Sequence, residues 1–141
     1  MNAGRKIWQS LIFAGMVSLV MFCTGCTATI TREELLKQMQ AGTAPLIVDV
    51  RSQKEYDRDH LPDAVHIPFY TISSGLGEIS HAKKEPLVLY CEHGPRASIA
   101  GFSLFLSGYD AVYSLEGHMK GWRKNSFQME IVSHGSTTNQ Y

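Results

Sequence analysis

The residue types able to do chemistry gather in one short stretch, Tyr90-Cys91-Glu92-His93-Gly94-Pro95-Arg96-Ala97-Ser98. Cys91 directly follows the apolar run Leu87-Val88-Leu89-Tyr90, and a helical pattern follows the loop. In an open α/β sheet the carboxyl end of such a buried strand is where ligands bind. A short loop containing glycine and turning into a helix can aim backbone N–H groups inward as an anion-binding nest, and the helix dipole adds positive potential. A sulfur at the centre of that ring is predicted to have a depressed pKa and to act as a nucleophile. Cys91 is therefore the candidate catalytic residue. The surrounding Glu92, His93, Gly94, Pro95, Arg96 and Ala97 are the candidate substrate-binding residues. Arg96 can grip an anion through its planar fork. A carboxylate beside a thiolate would oppose ionisation, so Glu92 is expected to face solvent.

The elements that must position this loop alternate strand and helix. Leu46 to Val50 and Leu87 to Tyr90 are short apolar runs without polar alternation, as expected for strands covered on both faces. Ala64 to Ile67 and Val112 to Leu115 are weaker strand candidates. Thr31 with Glu34, and Ser52 with Glu55, form capping-box patterns that start helices, and Ile30 with Leu35 fits a hydrophobic staple. Gly42 should end the first of these helices. Ala97 to Ser107 is apolar nearly all round and stops at Gly108, and a further short helix is expected around His118 to Lys124. Thr71 to Lys84 reads as loop with one irregular helix. Strand and helix in alternation predict an α/β fold with a parallel sheet. A charged pair at the end of a buried strand needs satisfied partners, which makes Asp49 and Arg51 structural residues near the site, and Trp122 is expected in the core.

Composition narrows the function further. The 141 residues are 44% hydrophobic and 18% charged, which excludes a disordered chain, and 13 basic against 13 acidic groups give no basic excess for binding nucleic acid. The six histidines show no close spacing suited to zinc, so no metal or other cofactor is expected.

The first 26 residues stand apart. Arg5 and Lys6 precede Ile7 to Phe22, of which twelve of sixteen residues are apolar. That stretch is short of the ~20 residues needed to span a bilayer as a helix, and a cleaved export signal is the better reading than a retained anchor. Cys23-Thr24-Gly25-Cys26 resembles the lipobox of bacterial lipoproteins, with Cys26 as the lipidated, processed N-terminus. Residues 1–25 are then the signal, 27–30 a short tether, 31–132 the folded domain and 133–141 a polar tail. Removing residues 1–25, and with them Arg5 and Lys6, leaves 116 residues with an acidic excess of two, so acyl chains rather than charge would hold the chain at the membrane, on the periplasmic face. Cys91 would then be the one thiol of the folded domain.

From Thr31 to Phe127 the chain resembles the single-domain rhodaneses, the thiosulfate sulfurtransferase family. Cys91 through Arg96 is similar to the family's six-residue active-site loop. Asp49-Val50-Arg51 with Glu55-Tyr56 and His60-Leu61-Pro62-Asp63-Ala64-Val65-His66-Ile67-Pro68 is similar to the upstream signature, and Leu115-Glu116-Gly117-His118-Met119-Lys120-Gly121-Trp122 to the downstream one. Asp63 and His118 stand where glycines are usual, which puts the local turns in question more than the chemistry. The resemblance implies a small five-stranded parallel sheet with helices on both faces. It also implies a sulfane sulfur carried as a persulfide on Cys91, from thiosulfate or a similar small anionic donor to cyanide or a thiol. Such covalent catalysis has ping-pong kinetics, and a thiolate nucleophile needs no general base.

Two alternatives remain open on sequence grounds. Phosphatases and arsenate reductases of related fold place five residues between cysteine and arginine, whereas four separate Cys91 from Arg96. The smaller ring suits sulfur better than a tetrahedral phosphate. The other alternative is a membrane-tethered persulfide carrier or interaction module with little turnover, whose protein partner the sequence does not name.

Overall fold

The computed structural model describes residues 28–130. The export signal, Cys26 and the polar tail lie outside them, as do the last two residues of the expected domain. Five parallel strands, β1 (Ala28–Ile30), β2 (Leu46–Asp49), β3 (Val65–His66), β4 (Leu87–Tyr90) and β5 (Val112–Leu115), form one sheet in the order β1-β5-β4-β2-β3. Helices α1 (Arg32–Gln40), α2 (Gln53–Arg58), α3 (Pro95–Leu106) and α4 (His118–Lys124) connect them. The α/β class and the parallel sheet agree with the sequence reading.

Both faces of the sheet are covered. One core packs Val48, Leu87 and Leu89 against Ala97, Ala100 and Leu104 of α3, with Ile72 and Ile79 from the long connection beside them. The other packs Ile47, Val88 and Tyr90 against Leu35 of α1 and Met119 and Trp122 of α4. Trp122 is fully buried, and its indole N–H donates to the Gln128 carbonyl at 2.9 Å. Adjacent β-strand residues thus point to opposite cores, which is why β2 and β4 lack polar alternation.

Several local expectations shift. The stretch expected as a tether contains an edge strand, since Ala28, Thr29 and Ile30 pair with Tyr113, Ser114 and Leu115 of β5. The third strand shrinks to two residues because the Ala64 N–H closes a turn on Leu61 and, at the other end, the Arg51 N–H turns onto the Asp49 carboxylate at 2.8 Å instead of continuing the ladder to β3. Two single 3₁₀ turns, Gly75–Gly77 and Ser80–Ala82, replace the irregular helix expected between Thr71 and Lys84. Thr31 caps α1 by accepting the Glu34 N–H at 3.2 Å, but the Glu34 carboxylate takes Gln38 at 2.8 Å instead of closing the box.

The chain leaves β2 toward β3 on one side and β4 toward β5 on the other. The crevice between the carboxyl ends of β2 and β4 is therefore the topological switch point, where α/β folds bind ligands.

Candidate active site

Cys91 begins the loop at the carboxyl end of β4 and is 1% exposed, so its sulfur lies at the bottom of the loop. The Gly94 N–H donates to Cys91 Sγ at 3.0 Å. Gly94 holds φ +122°, a region that side chains strongly disfavour, and a Cβ there would lie 3.1 Å from His118 Nε2. Glycine is therefore required both for the turn and for the space. Pro95 opens α3 at a position where its missing N–H costs nothing, and Ala97 is buried against the sheet.

The downstream signature holds the other side of the loop. Met119 N–H and Lys120 N–H, in the first turn of α4, donate to the carbonyls of Cys91 and Glu92 at 3.0 and 3.3 Å. His118 Nδ1 accepts the Cys91 N–H at 3.4 Å, which leaves the ring's proton on Nε2, next to Gly94. Burial, and then the neighbouring His93, lower the His118 pKa, so the ring is neutral at pH 7. His118 is thus a site residue that sequence reasoning missed. Its clue was the departure from glycine: His118 sits at φ +50° and Asp63 at φ +59°, both left-handed positions. His93 is exposed on the loop.

Arg96 stands at the rim, but its fork is engaged. Both terminal nitrogens bind the Glu55 carboxylate, at 2.6 and 2.8 Å. Glu55 does close the second capping box, receiving the Ser52 N–H at 3.1 Å and hydroxyl at 2.6 Å, so one carboxylate joins the start of α2 to the start of α3. The hydrogen bonds from Arg96, assisted by those from Ser52, hold Glu55 far below the ordinary carboxylate range in spite of its burial. The pKa of Arg96 is raised in turn, first by the Glu55 hydrogen bond, which outweighs its burial, and to a smaller degree by the charge of Cys91. The sequence identified Glu55 as a cap and not as the partner of Arg96.

Glu92 corrects the expectation that it faces solvent. Its side chain is mostly buried and turned away from the loop onto Arg123, at 2.5 Å, with Arg51 at 3.6 Å. Arg123 also binds Asp59 through two bonds of 2.8 Å. Arg51, fully buried, is gripped by Asp49 at 2.7 to 3.0 Å and also donates to the Asp59 backbone carbonyl and side chain. Burial opposes the charge on Arg51, yet the Asp49 bonds outweigh it and its pKa rises. This chain of alternating charges, Asp49-Arg51-Asp59-Arg123-Glu92, anchors the second loop residue beneath the site. It also removes the Glu92 carboxylate from the face where a sulfur-bound anion would develop.

Chemically, the arrangement is a shielded thiol with an N–H aimed at its sulfur, a guanidinium at the rim and a neutral imidazole against the wall. The profile of the Rhodanese-like domain matches residues 31–125. Among solved structures, a rhodanese-like domain protein from Staphylococcus aureus is 30% identical with a TM-score of 0.66, the match covering 75% of this chain and 99% of that one. A full-length protein from Lactobacillus plantarum is 21% identical with a TM-score of 0.68, over 83% of this chain and 98% of that one. A thiosulfate sulfurtransferase from Pseudomonas aeruginosa is 22% identical with a TM-score of 0.67, over 74% of this chain but only 20% of that longer one. With its loop, flanking signatures and sheet order in place, this chain belongs to the rhodanese-like domain family.

Proposed function

We propose that the protein is a sulfurtransferase that carries sulfane sulfur on Cys91. The observation that carries this reading is the Gly94 N–H held 3.0 Å from Cys91 Sγ within a loop of only four residues between Cys91 and Arg96. In the first step the Cys91 thiolate attacks the outer sulfur of thiosulfate. The bond between the two thiosulfate sulfurs breaks, sulfite leaves with the electron pair, and an anionic persulfide remains. In the second step cyanide, or a thiolate, attacks the outer persulfide sulfur and the Cys91 thiolate is restored as leaving group. The Gly94 N–H, fixed before the reaction, stabilises negative charge on the Cys91 sulfur, as an oxyanion hole does for oxygen. Arg96 contributes positive potential at the mouth, moderated by Glu55.

The same reading places the chain outside the cytoplasm, tethered to the periplasmic face of a membrane through lipid on Cys26. The sequence from Arg5 to Cys26 supports that placement.

Steady-state kinetics with thiosulfate and cyanide, run beside an aryl-phosphate assay, test the reaction class. Parallel lines in double-reciprocal plots, abolished in Cys91→Ser, are expected. Phosphate hydrolysis without sulfur transfer would overturn the reading. A persulfide that forms but is not passed to any free acceptor would favour the carrier alternative.

A further inference from the structure

Helix α3 presents two apolar faces, of which the sheet uses one. Ala97, Ala100 and Leu104 are buried beneath it, while Ile99, Phe102, Phe105 and Leu106 on the opposite side are 53%, 63%, 69% and 69% exposed. Three of these four fall in the second half of the helix, and among the described residues nothing covers them. A contiguous apolar patch of this kind on a folded domain marks a contact surface.

Topology says where that surface lies. Strands β4 and β5 are parallel, so α3 must run back from the carboxyl end of the sheet to its amino end. Phe105 and Leu106 therefore sit at the amino end, opposite the Cys91 loop. Helix α3 packs over β4 and β5, and β5 is the neighbour of β1. Strand β1 starts at that same amino end with Ala28, two residues after Cys26, a reach of at most ~7 Å. A lipid on Cys26 would hold the amino end of the sheet at the bilayer. The processed chain has a slight acidic excess, and of the two lysines at this end, Lys83 and Lys84, the second is paired with Asp110, so the apolar face of α3 is the larger contribution to a contact there.

We propose that the exposed face of α3, centred on Phe102, Phe105 and Leu106, lies in the interfacial layer of the membrane that carries the Cys26 lipid. The domain is then oriented with its amino end down, and the Cys91 loop opens away from the bilayer toward diffusible donors and acceptors. This surface rests on the tethered placement described above and is independent of the sulfur chemistry.

The test uses the full chain expressed with its own N-terminus and purified from membranes. It is reconstituted into phosphatidylethanolamine and phosphatidylglycerol vesicles containing a phosphatidylcholine brominated near the glycerol end of its acyl chains. Tryptophan is introduced as Phe105→Trp or, at the exposed Tyr70 beyond the carboxyl end of β3, as Tyr70→Trp. Both positions are exposed, so neither change disturbs the core, and once Trp8 has left with the signal the buried Trp122 is a common background. Emission of Phe105→Trp is expected to fall by about half relative to unbrominated vesicles, with Tyr70→Trp unchanged. Equal quenching at both positions, or none at Phe105, in protein whose Cys26 lipid is verified by mass would overturn the proposal and leave the anchor intact. An unmodified Cys26 in a chain recovered without membrane would overturn both. Sulfur transfer measured on the same samples reports separately on the reaction.

Discussion

Two arginines lie on either side of the Cys91 loop, and their surroundings differ. Arg51, in the floor, is fully buried, and its fork is saturated by Asp49 and Asp59. Arg96, at the rim, is partly exposed and has one side-chain partner, Glu55, whose carboxylate is itself shared with Ser52. A buried pair of charges is expensive to break, because removing one partner strands the other in a medium that cannot solvate it. A partly exposed pair can open at little cost, because water replaces the lost partner. The floor therefore fixes the loop's position, whereas the rim can trade Glu55 for an anionic substrate.

The largest expected consequence is on the floor side. Arg51→Met leaves Asp49 buried without its partner and is expected to destabilise the domain by about 3–5 kcal/mol, read as a large fall in thermal midpoint. A midpoint within a few degrees of the parent would show that the floor is not structural. At the rim, Arg96→Ala is expected to raise the KM for thiosulfate and Glu55→Gln to lower it several-fold by freeing the fork. Glu55→Gln should cost only about 1 kcal/mol of stability. If neither change moves KM, Arg96 serves only to join α2 to α3.

Acid separates the groups by their shifted pKa values. The His118 pKa is lowered by burial, so the native state binds fewer protons than the unfolded chain. Its stabilising contribution is complete above the ordinary histidine range and is lost as pH falls through that range toward the folded value. Glu55 is also lowered, but its loss begins only below the ordinary carboxylate range. Denaturant titrations should therefore show stability declining as pH falls through the ordinary histidine range, with a shallower slope in His118→Gly and an unchanged slope in Glu55→Gln. The same His118→Gly removes the acceptor of the Cys91 N–H and should slow sulfur transfer a few-fold, consistent with one hydrogen bond of about 1 kcal/mol. The smallest effect is expected from Asp63→Gly, which relieves a left-handed backbone far from the sulfur. Stability should rise by no more than about 1 kcal/mol, with kinetics unchanged.

The same contrast explains what was legible in the sequence. Local signals gave the loop, the Ser52–Glu55 cap and the buried strands β2 and β4, because each is encoded within a few neighbouring residues. Long-range charge pairing was invisible: Glu92 looked solvent-facing until Arg123, 31 residues away, came to rest on it. Glu55 looked finished as a cap until Arg96, 41 residues away, joined it. Strand β1 has only three residues and no pattern of its own, since its conformation is imposed by pairing with β5. His118 was visible as an oddity but not as a contact, because only the fold brings α4 against the loop.

The central claim is that Cys91 accepts sulfur as a persulfide. Intact-mass measurement after incubation with thiosulfate tests it most directly. A single adduct of about 32 Da, mapped to the peptide containing Cys91, released by cyanide and absent in Cys91→Ser, is the expected result. An unmodified Cys91 in folded protein under those conditions would contradict the account.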